Sequence, residues 1–365
     1  LVGIALGALV YSRAARRRGP PTALGLTLLL LALALWATFT LSAIPALPRA
    51  MLWLIQLPGV SFARVLSFET LVALFVLLVP TLLLGAALPM AMAIISRELG
   101  RVGRDVGGMY LANTAGAIAG SLLTGFVLIP SLGTQRTLQL GLCANLLLAA
   151  AGVWLFGRRL PHRAAGLGVA ALLAAVALGG GAWPAHVFDS GVNYQMHVPV
   201  AGDAAEVARR LTRQPSRLQY FAEGVNATIT VRRTSDMTAL FVNGKPDAST
   251  EGDMTHQVGL GVVAGLAHPR PAAVGLVGWG SGVTAHVLTQ LEALERLDVA
   301  EIERAVVEAS PTFAAVNHGV ERDPRVHLYY DDARSHFLTT ARSYDLIVSQ
   351  PSNPWMVGVA GLFSA

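Results

Sequence analysis

Residues 273–282 read Ala-Val-Gly-Leu-Val-Gly-Trp-Gly-Ser-Gly, and the fold turns on them. A short apolar run enters three glycines spaced two apart, and Val283–Leu294 follows with helical spacing. That order is a buried strand, a tight turn and a helix. The unit then repeats. Leu297–Ile302 reads as a second strand, Ala305–Asn317 as a second helix, Val326–Tyr329 as a third strand, Ser335–Thr340 as a short helix and Tyr344–Ser349 as a fourth strand. Such alternation means an α/β fold with a parallel, doubly wound sheet. Glycines after a first strand let a ligand approach the backbone closely, in the crevice at the strands' carboxyl ends. Glu301 follows those glycines by about 20 residues, where an acid can accept both ribose hydroxyls. Asp331-Asp332 closes the third strand, where a carboxylate can accept from an adenine amino group. Gly278, Gly280, Gly282, Glu301 and Asp332 are therefore candidates for holding an adenosyl ligand.

Upstream, Leu218–Phe221 and Ala227–Arg232 alternate like strands, and Thr238–Val242 ends at the turn signal Asn243-Gly244, giving a small β-unit of hairpins. Glu303 and Glu308 read as a solvated helix face, and Lys245, the only lysine, as a solvated turn charge. Trp279 either stacks on a ligand or packs on the following helix. The histidines of this half show no metal-ligand spacing, so no metal is expected.

Before Trp183-Pro184 the chain is of another kind. The whole sequence is 53% hydrophobic, 13% charged and carries a net charge of +5, with mean hydropathy +0.54 and a pI near 9.8. Soluble domains average roughly 25% charged residues, which argues against a plain cytosolic globule. Residues 1–184 hold 13 Arg, no Lys and 3 acids, a balance of +10, whereas residues 185–365 hold 14 basic and 19 acidic residues, a balance of −5. The excess arginine lies between apolar runs, which is no nucleic-acid footprint. Those runs are Leu1–Tyr11, Thr22–Ile44, Phe68–Ile95, Gly107–Ile129, Thr137–Phe156 and Ala164–Trp183, one partial and five whole spans at the ~20 residues a bilayer crossing needs. Pro80 and Pro89 fall inside the third, and Gly116 and Gly120 in the fourth have the spacing that favours close helix contact. Arginine clusters at 13–18, 97–104 and 158–163 recur after every second span, as cytoplasmic loops do. No acid lies mid-span to couple transport. Cys143 stands alone, so no disulfide forms within the chain. Leu1 lies in mid-run and Ala365 just after an apolar segment, which reads as truncation at both ends.

The ordered set Asn243–Ser249, Gly252-Asp253-Met254, Gln257, Val277–Gly282, Val299–Glu303, Asp323–Val326, Asp331-Asp332 and Tyr344–Trp355 resembles the spermidine synthases, and in particular the bacterial membrane-fused group in which a multi-helix region precedes that domain. Gly7-Ala8-Leu9 with the arginines after Ser12 is loosely similar to a major-facilitator loop that lacks its usual Asp. The resemblance implies residues 1–184 as a transmembrane helical region in a bacterial inner membrane, 185–216 as a linker, 217–270 as the β-unit, and 271–365 as a methyltransferase-type Rossmann domain. It implies aminopropyl transfer from decarboxylated S-adenosylmethionine to putrescine or a related amine, giving spermidine and methylthioadenosine, with no permanently bound cofactor. Homo-oligomers are compatible with it. Gly278, Gly280, Ser281 and Gly282 would contact nucleoside and tail, Glu301 the ribose, Asp332 the adenine, and Gln257 and Asn353 the substrates. Two departures fall on the chemistry. The acid of the glycine turn is here Ser281, and the catalytic acid after the fourth strand is Gln350, a neutral amide that cannot take a proton. Two further readings stay open: an S-adenosylmethionine-dependent methyltransferase, suggested by Asn353-Pro354-Trp355, and a non-catalytic, transporter-like protein with an adenosyl- or polyamine-sensing domain. Counting spans from the arginine clusters puts the end of the last one outside, opposite to where adenosyl ligands reside. Either that run does not span, or the orientation differs, or the domain acts outside on something else.

Overall fold

A computed structural model describes residues 1–55, 61–96, 102–157, 160–189, 191 and 216–349. The chain divides into two compact units, Leu1–Val187 and Phe188–Ala365.

The first unit is helical: α1 (Val2–Arg18), α2 (Ala23–Ala43), α3 (Leu47–Ile55), α4 (Phe62–Ile95), α5 (Val102–Leu123), α6 (Ile129–Leu132), α7 (Thr134–Phe156) and α8 (Leu160–Gly179). Thr22 and Ser61 cap α2 and α4, accepting from Gly25 N and Arg64 N. Among the described residues five stretches, 23–51, 63–95, 102–132, 134–156 and 161–179, are long and apolar enough to cross a membrane. α4 runs through both Pro80 and Pro89. A π-helical turn, Thr124–Leu128, joins α5 to α6 just before Pro130, which has no N–H to give to the preceding turn.

In lipid an apolar interior would not hold such helices together, since lipid is equally apolar; small residues and polar links would. Ala34, Leu142, Leu146, Ala170, Leu173 and Ala177 bury the seam of α2, α7 and α8. The amides of α7 reach backbone carbonyls of its neighbours, Asn145 to Leu30 at 2.9 Å and Gln139 to Ala177 at 2.8 Å. α1 meets α4 through glycine. A Cβ on Gly7 would lie 2.0 Å from the Leu82 carbonyl oxygen, and one on Gly85 would lie 2.2 Å from that of Ile4. The Gly116/Gly120 spacing, by contrast, makes no close contact among the described residues. A Cβ at either position meets nothing within 4 Å, and α5 buries no residue. Small residues permit an approach without causing one. We therefore expect Gly7→Leu to open the α1–α4 crossing. In a Cys143→Ser background, a Thr81→Cys reporter facing Gly3 should react with a thiol reagent roughly tenfold faster, equivalent to ~1.4 kcal/mol of lost helix contact. An unchanged rate would refute it.

A short helix, α9 (His186–Asp189), crosses the boundary between the two units at the start of the expected linker. Asp189 holds Arg232 in a two-pronged pair, at 2.6 Å from Nε and 3.1 Å from Nη2. The β-unit is an antiparallel meander of β1 (Arg217–Glu223), β2 (Thr228–Arg233), β3 (Thr238–Val242) and β4 (Lys245–Ser249). Asn243 and Gly244, at φ 50° and 80°, make the β3–β4 turn as their residue types require. α10 (Met254–Ala267), an apolar helix that the sequence reading passed over, leads into β5 (Ala273–Val277). Then come α11 (Val283–Thr289), β6 (Arg296–Ala300), α12 (Arg304–Glu308), α13 (Ala314–Asn317), β7 (Val326–Tyr329), α14 (Ala333–Thr339) and β8 (Leu346–Ser349). The second sheet is parallel with order β7-β6-β5-β8. That doubly wound, Rossmann-type order places the ends of β5, β6 and β7 side by side. The core lies between it and the neighbouring elements, around Leu240, Val274, Leu297, Val299 and Phe313.

Two expected helices are shorter. Val283–Leu294 ends at Thr289, after which tight turns take over, Leu291 N bonding to Leu288 O and Leu294 N to Leu291 O. Ala305–Asn317 is broken by Pro311 into α12, a 3₁₀ turn Ser310–Phe313 and α13. The second strand stops at Ala300, two residues before the expected end, freeing Glu301 and Glu303 for the loop.

Candidate functional site

The turn between β5 and α11 is built on backbone that glycine adopts without strain: Gly278, Gly280 and Gly282 have φ of 82°, 58° and 83°. The first two face room. A Cβ on Gly278 would find only Glu301 Oε2, at 4.0 Å, and one on Gly280 only the Ala248 methyl of β4, at 3.8 Å. Gly282 is packed, its Cβ position lying 3.0 Å from the Trp279 ring and 3.1 Å from Asn317 Nδ2. Trp279 is 3% exposed and belongs to the core, so of its two expected roles the structure shows packing.

Glu301 holds this turn from the end of β6. One carboxylate oxygen accepts from Trp279 N at 2.8 Å, the other from Glu303 N at 2.9 Å. Burial pushes its pKa up, the two backbone N–H groups oppose that, and the nearby charges of Asp247 and Glu303 add to the rise. Each oxygen retains a second lone pair for a ligand hydroxyl. Asp332 follows β7 and caps α14, accepting from Ser335 N at 2.8 Å. No described hydrogen bond joins it to the glycine turn. It lies at the end of the strand next to β6, and Glu301 N, just past β6, bonds to Tyr329 O at 2.9 Å.

Ser281 and Gln257, far apart in sequence, meet: the Ser281 hydroxyl donates to Gln257 Oε1. Both are buried, at 1% and 4% exposure. Gln257 Nε2 donates to Ser249 O at 2.9 Å and to Asp253 Oδ2 at 3.0 Å, and Ser249 Oγ donates to Asp253 Oδ1. Asn317 secures the turn from the other side through Ser281 O, at 2.8 Å. Gln350 and Asn353, with Trp355, lie outside the described residues.

Two charges are not where the sequence reading put them. Glu303 is 5% exposed: it caps α12 and accepts from Asn226 N at 2.8 Å and Ala227 N at 3.1 Å, tying the β-unit to the sheet domain. Lys245 has a largely buried side chain paired with Asp247 at 3.1 Å. Glu308 does stay exposed, accepting from Tyr220 OH at 3.1 Å. Asp298, 0% exposed within β6, was missed; it pairs with Arg296 at 2.8 Å and accepts from Tyr344 OH at 2.9 Å. A carboxylate between Leu297 and Val299 was its only signal. Among the described residues no group of three or more His, Cys, Asp or Glu is placed to hold a metal ion.

A Rossmann-type sheet with a glycine turn gripped by a strand-end glutamate is an arrangement that many nucleoside-binding domains share. Within it, residues 254–365 match the spermine/spermidine synthase domain family, and that stretch carries such a domain. The polyamine aminopropyltransferase of Alkaliphilus oremlandii is 34% identical over 97 residues, 27% of this chain and 34% of the relative. That of Streptococcus pneumoniae is 32% identical over 120 residues, 32% and 41% of the two chains. That of Corynebacterium efficiens is 28% identical over 258 residues, 69% of this chain and 46% of the relative. This last match is longer than the whole of residues 188–365, so it reaches into the helical unit. A spermidine synthase structure in complex with a transition-state analogue, AdoDATO, aligns with TM-score 0.36 and 19% identity over 38% of this chain and 48% of that one. The chain spans between about a third and a half of these relatives' length.

Proposed function

We propose that this chain is a membrane-anchored polyamine aminopropyltransferase. The observation that carries the reading is Glu301, a buried carboxylate that holds the glycine turn by Trp279 N and keeps lone pairs for a ribose. The domain match and the relatives' activity support the donor as decarboxylated S-adenosylmethionine and the acceptor as putrescine or a similar amine. The five apolar helices, and a match to one relative that extends into them, support the anchor.

In this reading Gly278, Gly280 and Gly282 give the donor access to the backbone, Glu301 takes the ribose and Asp332 the adenine. The acceptor nitrogen, as a neutral amine, attacks the carbon beside the sulfonium. The C–N bond forms as the C–S bond breaks, the electron pair returns to sulfur, and methylthioadenosine leaves. To become neutral the acceptor's ammonium must first give up a proton; Gln350 cannot take it, so the proton passes to water. Turnover is therefore expected to be slow. The full-length chain in detergent, given decarboxylated S-adenosylmethionine and putrescine, should release methylthioadenosine and spermidine, and Gln350→Glu should raise that rate. Binding of neither adenosyl ligand in calorimetry would overturn the reading. Methyl transfer from S-adenosylmethionine alone would establish the methyltransferase instead, and binding without turnover a sensor.

A further inference from the structure

The donor of the proposed reaction is cationic twice over, at its sulfonium and at the ammonium ending its aminopropyl arm. An ammonium taken from water into a partly buried site needs an opposing charge. By residue type the turn offers none: Ser281 is neutral, and so are Gln257 and Gln350. The acids around the turn are committed elsewhere. Glu301 has both oxygens on backbone N–H groups and gives its remaining lone pairs to the ribose in the proposed complex, Glu303 caps α12 and ties down Asn226 and Ala227, and Asp247 is neutralised by Lys245.

Asp253 is the exception. It stands where β4 ends and α10 begins, and its two oxygens accept from two neutral donors, the Ser249 hydroxyl and the Gln257 amide. No described cation pairs with it. The bonds also fix an orientation. Because Gln257 turns its Nε2 toward Asp253 and Ser249 O, its Oε1 faces the turn, and the Ser281 hydroxyl donates to it. An unbroken series of hydrogen bonds thus runs from the glycine turn to Asp253. Ser281 and Gln257, within that series, are buried; Asp253 is half-buried and remains reachable. A carboxylate has about four acceptor positions and two are used here.

We propose that Asp253 is the residue that selects the donor by its charge: it binds the terminal ammonium of the aminopropyl arm, with Gln257 and Ser281 holding it against the turn. An acid on the helix after β4 does the work that the turn itself, with Ser281, does not. This inference rests on the aminopropyltransferase reading.

The test separates charge from scaffold. Asp253→Asn removes the charge and can keep the geometry, since its Oδ1 can still accept from Gln257 and its Nδ2 can donate to Ser249 Oγ. Binding to the full-length chain in detergent is measured by calorimetry with two ligands. Methylthioadenosine has the nucleoside and no ammonium; decarboxylated S-adenosylmethionine has both. Asp253→Asn should weaken the charged ligand roughly tenfold, ~1.4 kcal/mol, and leave methylthioadenosine within about twofold. Asp253→Glu should recover part of the loss. Equal weakening of both ligands would make Asp253 merely structural and overturn the proposal, as would no change in either. If the parent chain binds neither ligand, the functional reading fails first, which is a different result.

Discussion

Glu301→Ala is expected to abolish detectable binding of methylthioadenosine, a loss of at least roughly a hundredfold, ~2.7 kcal/mol. Several effects add. Trp279 N and Glu303 N lose their acceptor while buried, at about 1–3 kcal/mol for each unsatisfied group. The turn loses its hold on β6, and the ribose loses its acceptor in the proposed complex. Glu301→Gln should fall between, because the amide keeps one acceptor and sets an N–H against the other backbone donor. The pH dependence follows from the upward push that burial gives this group. Binding needs the ionised form, so affinity should fall with falling pH, starting above the usual carboxylate range. Stability has the opposite sign. A raised folded-state pKa means that the group's contribution is fullest below the unfolded value of 4.5 and declines as pH rises through the folded one. Retained affinity in Glu301→Ala, by calorimetry, would remove this residue from the site.

Asp298→Ala is expected to destabilise the second unit by about 3–5 kcal/mol, because it leaves Arg296 and the Tyr344 hydroxyl without their buried acceptor. Hydrogen exchange of the β5, β6 and β8 amides in the full-length chain would report it as faster opening, while α7 and α8 should not change. Asp298→Asn should lie between parent and alanine. Protection of β6 equal to the parent's would show that the pair contributes nothing net, the known alternative for buried ion pairs.

Much of the architecture was legible where one local rule acted alone. β7 falls at Val326–Tyr329 as read, and the Asn243-Gly244 turn lies where its residue types demand. The boundaries missed belong to segments in which two rules compete. Leu291 and Leu294 continue a helical apolar pattern, yet they close turns that carry the chain into β6. In the site, the glycines, Ser281, Gln257 and Glu301 were named, and the structure brings them together. What the sequence left dark is what depends on distant partners. Glu303 looks like a surface acid until Asn226 and Ala227 arrive from the β-unit, and a Cβ on Gly224 would lie only 2.2 Å from its carboxylate. Asp253 stood within a recognised motif, but nothing in one dimension ties it to Ser281 through Gln257.

The sheet order β7-β6-β5-β8 has a kinetic consequence. The β1–β4 meander is made of sequence neighbours and can close as soon as it is synthesised, whereas β5 gains its last flank only when β8 arrives, after all of residues 278–345. Non-local pairing of this kind is slow. During synthesis Asp253 and Gln257 emerge first, the glycine turn next, and Glu301 and Asn317 after it. Until Asn317 emerges the turn has partners on one side only, and β5 lacks its β8 flank for longer still: a nascent chain paused before Leu346 should show a closed meander beside a parallel sheet still open at one edge, a stage exposed to misassembly.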